Sequence, residues 1–172
     1  PGDVRYEDIN KDGQIDVNDM VPIGYGDIPR IMYGINLGVG YKGFSITALF
    51  QGAAKVSHQY SDIVMNPFTD NGTIFEHQLD YWTPEHQHAT FPRLTTLDNA
   101  SLNNRQISTL NVKDADFLRL KTLEVAYDFP TKMIQKIHLK GLRLFLSGTN
   151  LITWTKYKWV DPEAPSLAAP FW

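Results

Sequence analysis

The sequence predicts an all-β, antiparallel fold of about four strands joined by long polar loops. Two observations predict it. Apolar residues recur at every second position in several stretches, the period of a strand with two unlike faces. The connections between those stretches are either very short or very long.

The stretch 33–41 alternates without exception. Tyr33, Ile35, Leu37, Val39 and Tyr41 fall on one face, and Gly34, Asn36, Gly38 and Gly40 on the other. At about 3.3 Å per residue it spans ~27–30 Å, close to a bilayer's hydrocarbon thickness. Lys42-Gly43 follows, an X-Gly pair suited to a two-residue hairpin turn. Beyond it Phe44, Ile46, Ala48 and Phe50 continue the apolar set, opposite Ser45, Thr47, Leu49 and Gln51.

A second pair comes later. Leu123, Val125, Tyr127 and Phe129 oppose Thr122, Glu124, Ala126 and Asp128. After a connection around 130–140, Leu142, Leu144 and Leu146 alternate with Arg143, Phe145 and Ser147. The stretch 117–121 breaks phase: counted from Phe117, Arg119 and Lys121 share the face of Leu123. A bulge explains this, and so do cations reaching towards headgroups.

The polar segment between Gly52 and Phe117 is much longer than either hairpin connection. Short turns at one end and long loops at the other are the asymmetry of outer-membrane barrels. A soluble sheet with one wet face alternates equally well, so from the residues alone a transmembrane barrel segment and a soluble sheet both stand.

Composition narrows the function. The chain has 172 residues, 42% hydrophobic and 12% aromatic, with a net charge of −3. Without a basic block, nothing favours nucleic acid as a partner. The absence of cysteine excludes disulfides, Cys-containing zinc sites and thiol catalysis. No run of about 18 apolar residues supports a transmembrane helix, but a transmembrane strand needs only about 9–11 residues. The chain begins Pro1-Gly2-Asp3, without the features of a signal peptide. The expectation is a fragment of a longer exported protein.

One local motif carries metal chemistry. Asp8, Asn10 and Asp12 followed by Gly13 match the opening of an EF-hand loop. Gln14 would add its backbone carbonyl, with Asp16 and Asp19 completing the spacing. Calcium takes 6–8 hard oxygens, so calcium in a structural role is expected; an Asx-rich turn without metal is the alternative. Asp19 stands where EF-hands place Glu, as in dockerin-like loops, and Val21-Pro22-Ile23-Gly24 breaks any exit helix.

Other constellations are weaker. His58, His77, His86 and His88 lack a matching Cys or a spaced third ligand, so solvated loop histidines are expected. Glu124, Asp128, Asp161 and Glu163 show no pairing at glycosidase separation, and no enzyme is expected. No nucleophile-elbow, P-loop or dinucleotide motif is present. Asn71-Gly-Thr73 and Asn99-Ala-Ser101 are glycosylation patterns without meaning in a bacterial protein. Trp154, Tyr157 and Trp159 suit an interfacial girdle, a sugar-binding surface or loop packing.

In order along the chain, Pro1-Gly-Asp-Val-Arg-Tyr6, Asp8–Asp16, Pro22-Ile-Gly24, Pro29-Arg30, Tyr33-Gly34, Tyr41-Lys-Gly-Phe44 and Phe50-Gln-Gly52 resemble SusC/RagA-type TonB-linked outer-membrane proteins. So do Tyr81-Trp-Thr-Pro84, Pro92-Arg93, Asp116–Lys121, Gly148-Thr-Asn-Leu151 and Asp161-Pro-Glu163. The resemblance is to their late, C-terminal barrel region and covers essentially the whole chain. It implies a large plugged barrel in the bacterial outer membrane, importing glycans or other oligomeric nutrients. A SusD-like surface lipoprotein and TonB are the implied partners, TonB acting through a part absent from this chain. The plug, the TonB box and the final aromatic-ended strand have no counterpart here; the chain stops within an implied external loop.

The implied organisation follows from a periplasmic Lys42-Gly43 turn. Residues 1–31, 53–116 and 152–172 are external loops, and 32–52 and 117–151 are barrel hairpins. Tyr33, Ile35, Leu37, Val39, Tyr41, Phe44, Ile46, Phe50, Leu123, Val125, Tyr127 and Phe129 face outer-membrane lipid. Asn36, Ser45, Thr47, Gln51, Glu124 and Asp128 face the lumen. The rival is a secreted, calcium-stabilised β-domain for carbohydrate binding or adhesion.

Overall fold

A computed structural model describes residues 1–69, 72–95, 99–135 and 138–164, without the side chains of 99–101. Asn71 and the end of the last implied loop, 165–172, lie outside the described residues. The elements in order are β1 (Ile31–Tyr41), β2 (Phe44–Ala54), β3 (Ser57–Gln59), α1 (Asp62–Met65), α2 (Asn99–Asn104), β4 (Val112–Asp114), β5 (Phe117–Asp128), α3 (Thr131–Ile134) and β6 (Arg143–Thr155). The chain divides into two compact units. A sheet unit holds 29–56 and 115–156; a loop unit holds 1–28, 57–114 and the chain from Tyr157.

The sheet unit is four strands in the order β1-β2-β5-β6, each pair antiparallel. Lys42 and Gly43 both adopt positive φ, 48° and 89°, the paired left-handed turn whose twist matches its flanking strands. The β5–β6 connection holds the single helical turn α3, closed by Phe129 N–H donating to Leu142 O at 3.0 Å. The hairpins span 31–54 and 117–155, longer than the expected 32–52 and 117–151. Strand pairing carries both past the positions where clean alternation ends.

The phase break in β5 is a bulge. Leu49 pairs with Thr122 and Phe50 with Leu120, leaving Lys121 extra. Against β6, Leu120 pairs with Ile152 and Thr122 with Thr149, and Asn150 there has φ 53°. The extra residue shifts the side-chain phase by one. Leu118 and Leu120 therefore share the face of Leu123, and Arg119 turns to the opposite face.

The loop unit has its own core. β3 and β4 pair antiparallel, and Ser57 N–H donates to Gly26 O at 3.1 Å. Tyr60 and Tyr157 stack at 4.5 Å with an 11° tilt, and His77 stacks on Trp159 at 4.6 Å. Phe91 lies 5.4 Å from Trp159. Gln78 is fully buried, donating to Ile63 O and Val64 O at 3.0 Å and accepting from Phe75 N–H at 2.9 Å. A buried amide needs such partners. The three polar segments, expected as separate loops, thus form one packed body.

Candidate functional site: a two-faced sheet and an acidic loop

Directly opposed residues of an antiparallel pair project to the same face, so the registers define both faces. Five rows cross the sheet: Tyr33–Gly52–Leu118–Trp154, Ile35–Phe50–Leu120–Ile152, Leu37–Ala48–Leu123–Gly148, Val39–Ile46–Val125–Leu146 and Tyr41–Phe44–Tyr127–Leu144. No polar aliphatic or charged side chain interrupts them. Most of this face is exposed: Val39 66%, Leu144 67% and Leu146 78%. A contiguous apolar face of this size needs an apolar partner phase.

Aromatic rings gather at both ends of that face. Phe44 and Tyr127 lie 4.4 Å apart, and Tyr127 and Phe129 meet edge-on at 4.8 Å. At the other end Phe50 and Trp154 are 6.5 Å apart. There the Tyr33 hydroxyl crosses side-chain-free Gly52 and donates to Phe117 O at 2.9 Å. A Cβ on Gly52 would come within 2.4 Å of that same oxygen and of the Tyr33 ring.

The opposite face is mixed and carries the polar groups: Asn36, Ser45, Thr47, Gln51, Thr122, Glu124, Asp128 and Thr153, with glycines at 34, 38 and 40 and apolar Met32, Leu49, Phe117 and Phe145 among them. Arg143 bridges Glu124 at 3.0 Å and Asp128 at 3.6 Å. Arg119 is buried on this side, its guanidinium 5.8 Å from the Phe117 ring centroid. The expected lipid-facing residues share the apolar face, except that Phe129 lies just beyond β5. The expected lumen-facing residues share the polar one.

The acidic loop is tied to its own backbone. Asp8 accepts from the Lys11 and Gly13 amides at 2.6 and 2.8 Å. Asn10 accepts from Asp12 N–H, and Asp12 from Gln14 N–H. Asp16 caps the 3-10 turn Val17–Asp19 by accepting from Asn18 N–H at 2.8 Å. Asp19 accepts from the amides of Ile9, Asn10 and Asp16. The Asp16 amide chiefly, helped by those of Asn10 and Ile9, holds the Asp19 carboxyl below its ordinary value, against an opposing desolvation.

These oxygens point at amides rather than at a shared centre. Among the described residues, no three His, Cys, Asp or Glu side chains form a group that could hold a metal ion. Each of these carboxylates keeps acceptor capacity beyond its amide bonds, so the arrangement suits both an Asx-rich turn and a calcium loop.

The weaker constellations resolve as structural contacts. His77 Nε2 lies 2.8 Å from Val64 O, and His86 Nε2 2.8 Å from Asp80 Oδ1. His58 is buried and His88 exposed. The three late aromatics divide: Trp154 lies on the sheet, while Tyr157 and Trp159 pack the loop-unit core. Sequence reasoning missed Gln78 and Asn104, and read Arg119 only as a break in phase; all three are buried. Asn104 accepts from Val4 N–H at 2.8 Å and donates to Asp3. Polar residue types carry no burial signal by themselves.

An antiparallel sheet with one apolar face, its shorter connections (42–43 and 129–142) at one end and longer segments at the other, suits a section of a β-barrel wall. No protein-family model matches the sequence. The chain is 30% identical over 168 residues to TonB-dependent receptor P26 of Formosa agariphila, covering 96% of this chain and 16% of that protein. It is 29% identical over 167 residues to TonB-dependent receptor P3 of the same organism, covering 95% and 16%. Among solved structures, the RagAB peptide transporter superposes with a TM-score of 0.70 at 27% identity, over 90% of this chain and 17% of that one. The RagAB peptide importer in its open-open state gives 0.66 at 27% identity, over 96% and 18%. Over nearly its whole length the chain is homologous to TonB-dependent receptors and similar in fold to part of the RagAB transporter, as a SusC/RagA-type segment is expected to be. It spans 16% of the length of these curated relatives.

Proposed function

We propose that this chain forms part of the wall of a TonB-dependent outer-membrane transporter, with β1, β2, β5 and β6 crossing the bilayer. The observation that carries this reading is the exposed apolar face with aromatic residues at both ends. Hydrocarbon accepts such a face and rejects open strand edges, so β1 and β6 each pair with a neighbouring strand of the same barrel. The Lys42-Gly43 turn and α3 lie on the periplasmic side, and the loop unit's segments on the external side. The polar face lines the lumen.

The whole receptor imports an oligomeric nutrient with a SusD-like surface lipoprotein, energised through TonB. The resemblance suggests glycans, and the RagAB relatives add peptides as a class. This chain's part is structural and involves no catalytic step. The acidic loop binds calcium through Asp8, Asn10, Asp12, Gln14, Asp16 and Asp19, in the roughly 10⁻⁴–10⁻³ M range of extracellular modules. Calorimetric titration of the intact receptor and of its Asp8→Asn variant measures this; heat in both alike would place the calcium elsewhere.

Residues 1–172 expressed without detergent test the barrel reading. Aggregation of the sheet through its apolar face and edges is expected. A soluble monomer with protected β1, β2, β5 and β6 amides would overturn it and favour a secreted carbohydrate-binding domain.

A further inference from the structure

The loop unit contains a buried titratable group that the transporter reading leaves unused. His58 sits in the middle of β3, 7% exposed. Its Nδ1 is fully buried and makes no hydrogen bond. All three chain segments of the unit meet around it. Asp27 acts on it through space from the first segment. Lys113 of β4 is its cross-strand partner in the second. Tyr157 of the third packs its ring 5.6 Å away. The flanking residues fasten the same junction: Tyr25 N–H donates to Ser57 Oγ at 3.0 Å, and Tyr60 hydroxyl to Lys158 O at 2.5 Å.

We propose that His58 is an acid-sensitive joint: taking up a proton, it loosens the packing of the loop unit's three segments against one another. This goes beyond the proposed function and holds whether or not the sheet lies in a membrane.

Charging an imidazole in such a place is unfavourable, because burial removes the water that would solvate the cation. Lys113 Nζ is engaged elsewhere, donating to Thr109 O at 2.7 Å. Asp27 opposes the desolvation but does not prevail: burial is the larger influence and holds the His58 pKa below its ordinary value. Tyr60 and Tyr157 offer no compensating charge, since burial pushes both phenols up, Tyr157 to about 12. The sign follows. A histidine neutral when packed and charged when released favours release as pH falls below the ordinary histidine value of about 6.5. The effect levels off once the packed form is itself protonated. One proton changes the opening equilibrium by at most about tenfold per pH unit.

Hydrogen exchange of the intact protein, followed at the amides of 57–60 and 112–115, tests the joint. After correction for intrinsic exchange, opening should rise several-fold from pH 7 to pH 5 while the β1–β2 amides stay unchanged. His58→Gln, which stays neutral, should remove that rise, and Asp27→Asn, which removes the charge favouring the packed imidazolium, should make it larger. The same rise in His58→Gln would overturn the proposal. Should His58→Gln be unprotected already at pH 7, Asp27→Asn decides alone: an unaltered pH slope there would overturn it as well.

Discussion

The two units of this chain place their apolar side chains by opposite rules. The loop unit behaves as proteins do in water: Tyr60, Val64, Met65, Phe91 and Tyr157 are inside, with fully buried Gln78 satisfied by three hydrogen bonds. The sheet unit buries Ala53, Val56, Ala115, Leu120, Ala126 and Ile134 but leaves Leu37, Val39, Leu144 and Leu146 exposed. Both rules follow from one physics. Apolar surface is removed from water, by neighbouring side chains in one unit and, in the function proposed above, by lipid in the other. Hydrophobic content alone does not separate the units; the direction in which the side chains point does.

Substitutions that damage one unit and spare the other sharpen this contrast. The largest effect is expected at Phe91, 4% exposed and packed against His77 and Trp159. Phe91→Ala should destabilise the loop unit by about 3–5 kcal/mol, seen as lost amide protection there with the sheet intact. Leu37→Arg should do the reverse. A cation in the middle of a lipid-facing strand costs about 2–4 kcal/mol, measured as a lower unfolding midpoint of the receptor in bilayers. Asn36→Arg, one residue along and on the polar face, should cost clearly less; equal losses would erase the distinction between the faces.

Smaller effects come from details of the sheet. Gly52→Val forces a side chain between Tyr33 and Phe117 O, an overpacking of about 1–3 kcal/mol. The extra Tyr33→Ala substitution should recover part of that loss. Glu124→Gln weakens a partly exposed ion pair with Arg143, worth below ~1 kcal/mol, and the unfolding midpoint should barely move.

How much of this was legible in the sequence follows the same division. Period-2 alternation marked β1, β2 and most of β5 because each side chain there answers to one of two surroundings. The Lys42-Gly43 turn was legible because positive φ at both positions leaves few residue choices. Lys121 stood out as a break in phase, yet its meaning depended on Phe50 and Ile152, residues distant in sequence. The loop unit was nearly silent. Its core joins His58, His77 and Tyr157 across long separations, and short irregular elements impose no period that a single sequence can display. The acidic loop was legible as a turn with carboxylates at fixed spacing. Whether those carboxylates face an ion or their own amides is a matter of side-chain rotation, which spacing does not determine.

The most direct test of lipid against water on the two faces is a nitroxide scan along 33–41 of the intact receptor in vesicles, reading collision with oxygen and with a water-soluble nickel chelate. Oxygen contact should peak at 33, 35, 37, 39 and 41, and nickel contact at 34, 36, 38 and 40. Nickel contact at the odd positions, or no alternation along the strand, would contradict a lipid-facing sheet.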